Sequence, residues 1–346
     1  MSSHSLPAPF GRNPLLLLLE LVAGARRTET IAEAIELPAA LGDGPLDRVS
    51  RGQLAMALAG LLFEDLVERV PMAAAYQREC VRAGKRLTFD HGAMRTVAAP
   101  SGKLPAGRAA FTRFLLPLGF KENGLYPLDR LGMTGRAYTH ADLPTQIPQY
   151  FLSELHPERF SASFEAAVQR VASTSRDPLP PSALPLLEKL AHDQALPMHE
   201  AARLLPNLVA AFARHHDEPH QSDYEILLRE SDEMAWVATE GNAFNHVTDR
   251  VTDVAAVAQA QRHLQRPMKE TIEVSKSGRV LQTAFRAAMV ERLFVGAGGS
   301  IITQLVPGSF YEFIQRNEIA PGQLDLAFDT GNAQSIFKMT SVGSSM

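Results

Sequence analysis

Two stretches of the chain, 88–97 and 241–251, place polar residues at alternating positions in the same way. Residues two apart along a β-strand share one face of that strand. In the first stretch this face carries Phe89, His91 and Arg95, and in the second it carries Phe244, His246, Thr248 and Arg250. Each histidine is followed by an arginine four places on. The pattern predicts two strands of a duplicated unit, each contributing one histidine to a shared centre.

The elements around these two strands follow one order. Periodicity and glycine or proline breaks predict, in the first unit, a strand at 86–98, a helix at 108–118 and strands at 120–126, 135–140 and 150–155. They predict, in the second unit, a strand at 243–251, a helix at 254–264, a hairpin of 271–274 with 280–286 and a strand at 310–315. We therefore expect an α+β fold with paired βαβββ units.

Helical periodicity dominates the remaining chain. A stripe of leucines indicates a buried helix near the start, at Leu54, Leu58, Leu61, Leu62 and Leu66. Further helices are predicted at 162–172, 182–191, 200–213 and 223–233. The predicted division is an N-terminal helical cap (1–83), a first βαβββ unit (84–157), a helical insert (158–240), a second βαβββ unit (241–320) and a C-terminal tail (321–346).

Composition narrows the class of protein. Of 346 residues 45% are hydrophobic and 21% are charged, which is ordinary for a globular protein, and the net charge of −4 argues against a general binder of nucleic acid or anionic membranes. The only cysteine, Cys80, excludes an internal disulfide framework and a cysteine-based metal cage. The apolar run 15–19 is interrupted by Glu20 and is too short to span a bilayer. We expect no signal peptide and a cytoplasmic location.

A third candidate ligand lies in the last predicted strand. Glu312 shares a face with Phe310 and Ile314, and a buried carboxylate is costly unless it is paired or binds a metal. Two histidines and one carboxylate form the facial triad of non-haem Fe(II) oxygenases, which leaves positions open for substrate and dioxygen. A strand-edge ion pair between Glu312 and Arg316 is the alternative.

Each of the other polar residues also has an ordinary interpretation. A single histidine in a strand is usually a core or surface residue, and only the matched contexts of the two favour a metal. Arg95 and Arg250 are alternatively salt-bridge residues at a barrel rim, and for Arg250 this interpretation is favoured. Asp90 and Asp249 are expected to point away from the centre, which suits supporting or surface roles.

These residues carry a resemblance to a known family. The stretches 88–97, 241–251, 278–287 and 308–315 resemble the 2-oxoadipate dioxygenase/decarboxylase family, whose members make 2-hydroxyglutarate in lysine breakdown. The strand 310–316 also resembles the metal-glutamate strand of 4-hydroxyphenylpyruvate dioxygenase. Both likenesses point to the vicinal-oxygen-chelate superfamily. The resemblance implies two βαβββ units that form a partly closed barrel surrounded by helical segments.

The resemblance also implies roles for individual residues. It makes His91, His246 and Glu312 the iron ligands, and Arg95 the residue that grips a substrate carboxylate. Further candidates for substrate binding are Gln282, Thr248 and Ser335. Glu154 is expected at the place in the first unit that corresponds to Glu312, where superfamily members with four protein ligands bind metal. The tail that contains Ser335 is expected either to close over the site or to pack as a surface helix.

The implied function is an Fe(II)-dependent dioxygenase and decarboxylase. It converts 2-oxoadipate and O2 to 2-hydroxyglutarate and CO2, and another divalent metal is an alternative occupant in a purified protein. Neither nucleic acid nor a membrane is an expected partner. Two alternatives remain: a different reaction on the same scaffold, such as another 2-oxo acid dioxygenase, a lyase or an isomerase, and a non-catalytic scaffold with a vestigial site.

Overall fold

A curled eight-stranded sheet, surrounded by helices, forms the centre of the computed structural model, which describes residues 13–329. The helices in this part of the chain are α1 (Pro14–Ala23), α2 (Ala25–Ala34), α3 (Arg51–Arg69), α4 (Pro71–Arg82), α5 (Ala109–Leu115), α6 (Ala162–Ala172), α7 (Leu184–Asp193), α8 (Met198–Ala210), α9 (Gln221–Glu230), α10 (Asp232–Glu240) and α11 (Val254–His263). The strands are β1 (Arg48–Ser50), β2 (Phe89–Val97), β3 (Phe120–Leu128), β4 (Met133–His140), β5 (Gln149–Leu155), β6 (Ala195–Pro197), β7 (Phe244–Arg250), β8 (Glu273–Val274), β9 (Val280–Ala284), β10 (Met289–Val295), β11 (Ile301–Pro307), β12 (Phe310–Arg316), β13 (Glu318–Ala320) and β14 (Gln323–Leu324).

The main sheet consists of two halves of matching topology, in the order β3-β4-β5-β2-β7-β12-β9-β8. In the first half β2 pairs in parallel with β5, and in the second half β7 pairs in parallel with β12. The two halves meet at the antiparallel pair β2–β7. The predicted α+β fold with paired βαβββ units is therefore confirmed, and the sheet is a half-barrel. The five-part division of the chain stays a prediction.

The helices that cover the sheet follow the predicted patterns with one exception. The leucine stripe of α3 is buried, and a capping box of Ser50 and Gln53 begins this helix. The single helix predicted at 223–233 is wrong, because α9 ends at Glu230 and α10 begins at Asp232. Between them Ser231 adopts an extended conformation and its side chain accepts a hydrogen bond from the Met234 amide. An N-cap of this kind starts a new helix.

The register between β2 and β7 shifts at two places, and the extra residue is Asp90 at one and Asn245 at the other. A shift of one residue moves the neighbouring side chain to the other face of the strand. Phe89 and Phe244 therefore pack in the core on the opposite side of the sheet from the histidines. The predicted shared face is wrong for these two phenylalanines, and the two bulges are the reason.

Candidate metal centre

The sheet register brings the three predicted ligands together on three neighbouring strands. In the pair β2–β7 His91 lies opposite Thr248, and in the pair β7–β12 Thr248 lies opposite Glu312. His246 lies two residues before Thr248 on the same face of β7. Residues that are far apart in the chain thus form one compact group on the concave side of the half-barrel.

Two of the distances within this group are those expected of ligands to one cation. His91 Nε2 lies 3.4 Å from Glu312 Oε2, His246 Nε2 lies 3.5 Å from the same oxygen, and one ligand atom from each residue can be chosen within 4.8 Å of the others. Donors about 2.1 Å from a common ion lie about 3 to 3.5 Å apart. All three side chains are buried, and Glu312 Oε1 has no hydrogen-bond partner among the described residues. A buried carboxylate oxygen without a partner is costly, so the donor set fits a divalent metal.

Each histidine is oriented by the bulge residue that precedes it. Asp90 Oδ1 lies 2.8 Å from His91 Nδ1, and the side-chain amide of Asn245 lies 2.9 Å from His246 Nδ1. A metal-binding histidine commonly donates its second ring N–H to an acceptor, which fixes the tautomer and leaves the first nitrogen for the metal, and the Asp90 carboxylate is such an acceptor for His91. Both Nε2 atoms consequently point toward Glu312.

The Thr248 hydroxyl lies between the proposed ligands. It donates to Glu312 Oε2 at 2.6 Å and lies 3.1 Å from His91 Nε2. Thr248 is fully buried and does not belong to the residues that line the adjacent cavity. The structure therefore places Thr248 beside the ligands, where it holds the Glu312 carboxylate, and its predicted contact with substrate stays a prediction.

Burial sets the protonation of the three groups when no metal is bound. Burial raises the pKa of Glu312 to about 8, and the hydrogen bond from Thr248 opposes this rise. Burial also lowers the pKa of His91, against the attraction of Asp90, and lowers the pKa of His246 further with help from the charge of Arg95. Both imidazoles are therefore neutral near pH 7, as metal binding requires, while the carboxyl group holds a proton.

This protonation predicts how metal affinity depends on pH. A metal must displace the Glu312 proton below a pH of about 8, so its apparent association constant is expected to rise about tenfold per pH unit between about pH 6 and pH 8 and then to level off. Titration with Co(II) at several pH values measures the slope, and a weakly buffered solution should show release of about one proton per metal at pH 7. An affinity that does not change over this interval would contradict the protonated state of Glu312.

A small cavity opens next to the three ligands. Besides them it is lined by Ala93, Phe151, Ser153, Asn245, Gln282, Phe328 and Asp329. The predicted substrate residue Gln282 thus borders the cavity, and its Nε2 donates to Glu273 Oε2 at 3.4 Å. The walls combine aromatic surface with a few polar groups, a typical lining for a small-molecule site.

The place that corresponds to Glu312 in the first half is occupied by Phe151. His91 in the first half corresponds to His246 in the second half. Two residues after His91, Ala93 pairs with Phe151 on β5. Two residues after His246, Thr248 pairs with Glu312 on β12, so Phe151 corresponds to Glu312. The expectation that Glu154 occupies this place is wrong, because its carboxylate binds Arg136 at 3.0 Å and the Arg108 amide at 2.8 Å, away from the cavity. A phenyl ring cannot coordinate a metal, so this position leaves coordination sites open.

Arg95 lies behind the cavity. Its side chain is fully buried on the same strand as His91, and its guanidinium carbon lies 4.9 Å from the centre of the Trp236 ring. Burial lowers the pKa of Arg95 to about 10, and the charge of Glu233 opposes this change. Arg95 does not belong to the lining residues, whereas Ala93, between His91 and Arg95 on this strand, does. Its grip on a substrate carboxylate stays a prediction.

Other predicted residues lie elsewhere. Arg316 binds Asp90 and not Glu312, so the alternative of an ion pair at Glu312 is wrong. Arg250 Nη1 lies 3.7 Å from Asp90 Oδ2, as expected of a rim arginine. Asp249 points away from the centre as expected and accepts a hydrogen bond from Tyr76 at 3.1 Å. Ser335 and most of the predicted tail lie outside the described residues.

Sequence reasoning misses Asn245 and Phe328 and anticipates Asp90 only in part. It gives Asp90 a supporting or surface role but with the side chain pointing away from the centre, assigns no role to Asn245, and places Phe328 in the predicted tail without singling it out. A signal for two of them was present, because a short polar side chain directly precedes each histidine. Nothing in the local sequence marks Phe328, which reaches the cavity only through the path of the chain after β14.

Comparison with known proteins gives one consistent result. The rice (Oryza sativa subsp. japonica) protein named 2-oxoadipate dioxygenase/decarboxylase, chloroplastic/amyloplastic, is 24% identical over 96% of this chain and 92% of its own length. A glyoxalase superfamily protein from Ralstonia eutropha JMP134 is 50% identical, with a TM-score of 0.89 over 93% of this chain and 100% of that chain. The fold is shared by the rice hydroxyglutarate synthase solved with 2-oxoadipate, at 19% identity and a TM-score of 0.64 over 90% of this chain and 96% of that chain.

Among residues 13–329, no helix has the length and apolar character needed to cross a membrane.

A family model matches most of the chain. The model described as 2-oxoadipate dioxygenase/decarboxylase matches residues 64–330, which include both βαβββ units and all three candidate ligands. The chain belongs to the 2-oxoadipate dioxygenase/decarboxylase family.

Proposed function

We propose that this protein is an Fe(II)-dependent dioxygenase that decarboxylates 2-oxoadipate and converts it with O2 to 2-hydroxyglutarate and CO2. The observation that carries the proposal is the buried triad of His91, His246 and Glu312 beside a cavity, with Phe151 at the place of a fourth ligand. Two histidines and one carboxylate are the ligand set of non-haem Fe(II) oxygenases. Family membership and the 2-oxoadipate bound to the rice relative support the substrate.

The reaction needs no further reductant. Six carbons enter as 2-oxoadipate and leave as one five-carbon hydroxy acid and one CO2, and both oxygen atoms of O2 are accounted for in these products. An iron ion held by the triad would supply Lewis acidity and one-electron chemistry for O2. The protein's own residues must then bind, orient and shield the substrate.

The cavity walls provide these functions. The apolar lining residues Ala93, Phe151 and Phe328 exclude water, while Gln282 and Ser153 offer hydrogen bonds. We assign the distal carboxylate of the substrate to Arg95, which lies on the strand face of His91 beyond Ala93. A guanidinium binds a carboxylate through two parallel hydrogen bonds and so fixes orientation as well as charge. Such orientation keeps the reacting end of the substrate beside the triad.

Oxygen uptake tests the proposal directly. Protein loaded with Fe(II) should consume O2 with 2-oxoadipate and release CO2 in a one-to-one ratio, with 2-hydroxyglutarate as the product, and metal-free protein should consume none. A panel of other 2-oxo acids tests the substrate, because faster turnover of another member would reassign it. Stoichiometric metal without O2 uptake would indicate a lyase or isomerase, and absence of stoichiometric metal from protein purified without chelators would indicate a vestigial site.

A further inference from the structure

The guanidinium of Arg316, at the end of β12, is in contact with two separate parts of the site. On one side its Nε donates to both carboxylate oxygens of Asp90, at 3.1 and 2.9 Å, and its Nη2 donates to Asp90 Oδ1 at 2.9 Å. On the other side its Nη1 donates to the main-chain oxygens of Asp325 and Ala327, at 2.8 and 2.9 Å. The side chain is 0% exposed. A buried guanidinium is stable only when such partners surround it.

The Asp90 side leads to a proposed metal ligand. Asp90 Oδ1 also lies 2.8 Å from His91 Nδ1, so the carboxylate held by Arg316 is the one that orients this imidazole. A group in this position fixes the tautomer and the direction of the ligand, and its loss typically lowers metal affinity about 10- to 100-fold. The position of Arg316 therefore determines the position of Asp90 and, through it, of His91 Nε2.

The other side leads to the segment 325–329, which closes one wall of the cavity. Phe328 in this closing segment lies edge-on against the His91 ring, with centroids 4.8 Å apart, and its ring is tilted against that of Phe151, also with centroids 4.8 Å apart. Its ring is also 5.1 Å from the Arg316 guanidinium carbon, and its amide donates to the Tyr126 hydroxyl at 3.1 Å. The closing segment thus spans both halves of the barrel and depends on Arg316 for two of its carbonyl contacts.

We propose that Arg316 is a positioning residue that fixes the His91 ligand and the closing segment 325–329 through one rigid group. The guanidinium is planar, so the hydrogen bonds on its two edges cannot be adjusted independently. A displacement of Asp90 therefore displaces the closing segment, and a displacement of the segment turns the His91 ring. This inference rests on the proposed function only in taking His91 as a metal ligand.

The sharpest test changes one side and measures the other. Asp90→Asn leaves residues 325–329 unaltered, yet it is expected to speed amide hydrogen exchange at Ala327 and Phe328 about tenfold in the metal-free protein, because Arg316 loses its charged anchor. This measurement involves neither substrate nor turnover, so failure of the proposed reaction would not change it.

A second substitution, made at Arg316 itself, tests whether its guanidinium is needed on both sides. Arg316→Lys keeps the positive charge beside Asp90 but loses the planar guanidinium, which contacts both Asp90 and the closing segment. It should therefore weaken Co(II) binding about tenfold or more and speed amide hydrogen exchange in the closing segment. Arg113→Lys is the matched control, because Arg113 binds Asp177 through two hydrogen bonds far from the cavity, and it should change neither. Unchanged exchange in Asp90→Asn, or wild-type Co(II) affinity in Arg316→Lys, would overturn the proposal. The Asp90→Asn measurement decides the matter if Arg316→Lys does not fold.

Discussion

Substitution of Glu312 by Gln is expected to abolish stoichiometric metal binding and to leave the metal-free protein folded. Glutamine keeps the size of the side chain and removes the only negative charge among the three proposed ligands. Loss of a group that only hydrogen-bonds to a metal ligand already lowers metal affinity about 10- to 100-fold. Loss of the charged ligand itself should therefore lower metal affinity by more than about 100-fold. Metal content after dialysis and Co(II) titration measure this loss.

The same variant makes an independent prediction about stability. The pKa of Glu312 is raised from 4.5 to about 8 by folding, so the folded state binds this proton more tightly than the unfolded chain. The stability that depends on this group is fully present below about pH 4.5 and is lost as pH rises through about 8. Glu312→Gln should therefore unfold at a higher temperature than the metal-free wild type at pH 9, and the two should be similar at pH 5.

Glu154→Gln provides the matched control for both measurements. It makes the same chemical change on β5, where the carboxylate binds Arg136 and a main-chain amide away from the cavity. It should keep its metal and lose stability, because a buried ion pair is broken. Retention of stoichiometric metal in Glu312→Gln would show that the carboxylate is not a ligand, and the proposed triad would then be wrong.

The features that sequence predicts well in this protein are those encoded locally. Alternation in 88–97 and 241–251 identifies β2 and β7, and it identifies His91 and His246 as residues of one face. The order of elements around each strand identifies the two βαβββ units, because each element has its own periodicity and its own terminating residues. Glu312 could be selected because an acidic residue within an apolar strand demands a partner.

The features that sequence missed depend on pairing between distant segments. A bulge is a property of two strands in register, so the reversal of Phe89 and Phe244 cannot be read from either strand alone. The hairpin β10–β11 was also missed. Its outer face carries exposed Leu293, Ile301 and Leu305, so its alternation does not resemble that of a half-buried strand.

The hydrogen bonds of Asp90 with His91 and Arg316 are still harder to predict from the sequence. Asp90 and Arg316 lie far apart in the chain, and no spacing rule connects them. Before the fold is known, Asp90 reads as a polar residue on the outer face of a strand. Only the bulge turns its carboxylate toward the His91 ring and toward Arg316. The ligands, and a supporting or surface role for Asp90, are therefore predictable from the sequence, while the contacts of Asp90 with His91 and Arg316 are not.

Removal of the Arg95 guanidinium is expected to impair binding of dicarboxylic substrates selectively. Because Glu233 is a buried carboxylate whose charge acts on Arg95, the test is best made in the double variant Arg95→Met/Glu233→Gln, which removes both charges together. Loss of a buried, doubly hydrogen-bonded carboxylate partner costs about 3 kcal/mol, or about 100-fold in KM for 2-oxoadipate. A monocarboxylic 2-oxo acid has no second carboxylate, so its KM should change by less than about threefold.

Arg250 occupies the position in the second half that corresponds to Arg95, four residues after the histidine, and Arg250→Met is therefore the matched control. Its side chain lies at the rim near Asp90 and away from the cavity lining, so we expect a change in KM of only a few-fold. Steady-state kinetics with both substrates, together with metal content, distinguish the outcomes. If the double variant lost its metal while KM for 2-oxoadipate in the remaining active fraction stayed unchanged, Arg95 would support the strand and not the substrate. The distal carboxylate would then have to be held by the polar lining residues Gln282 and Ser153.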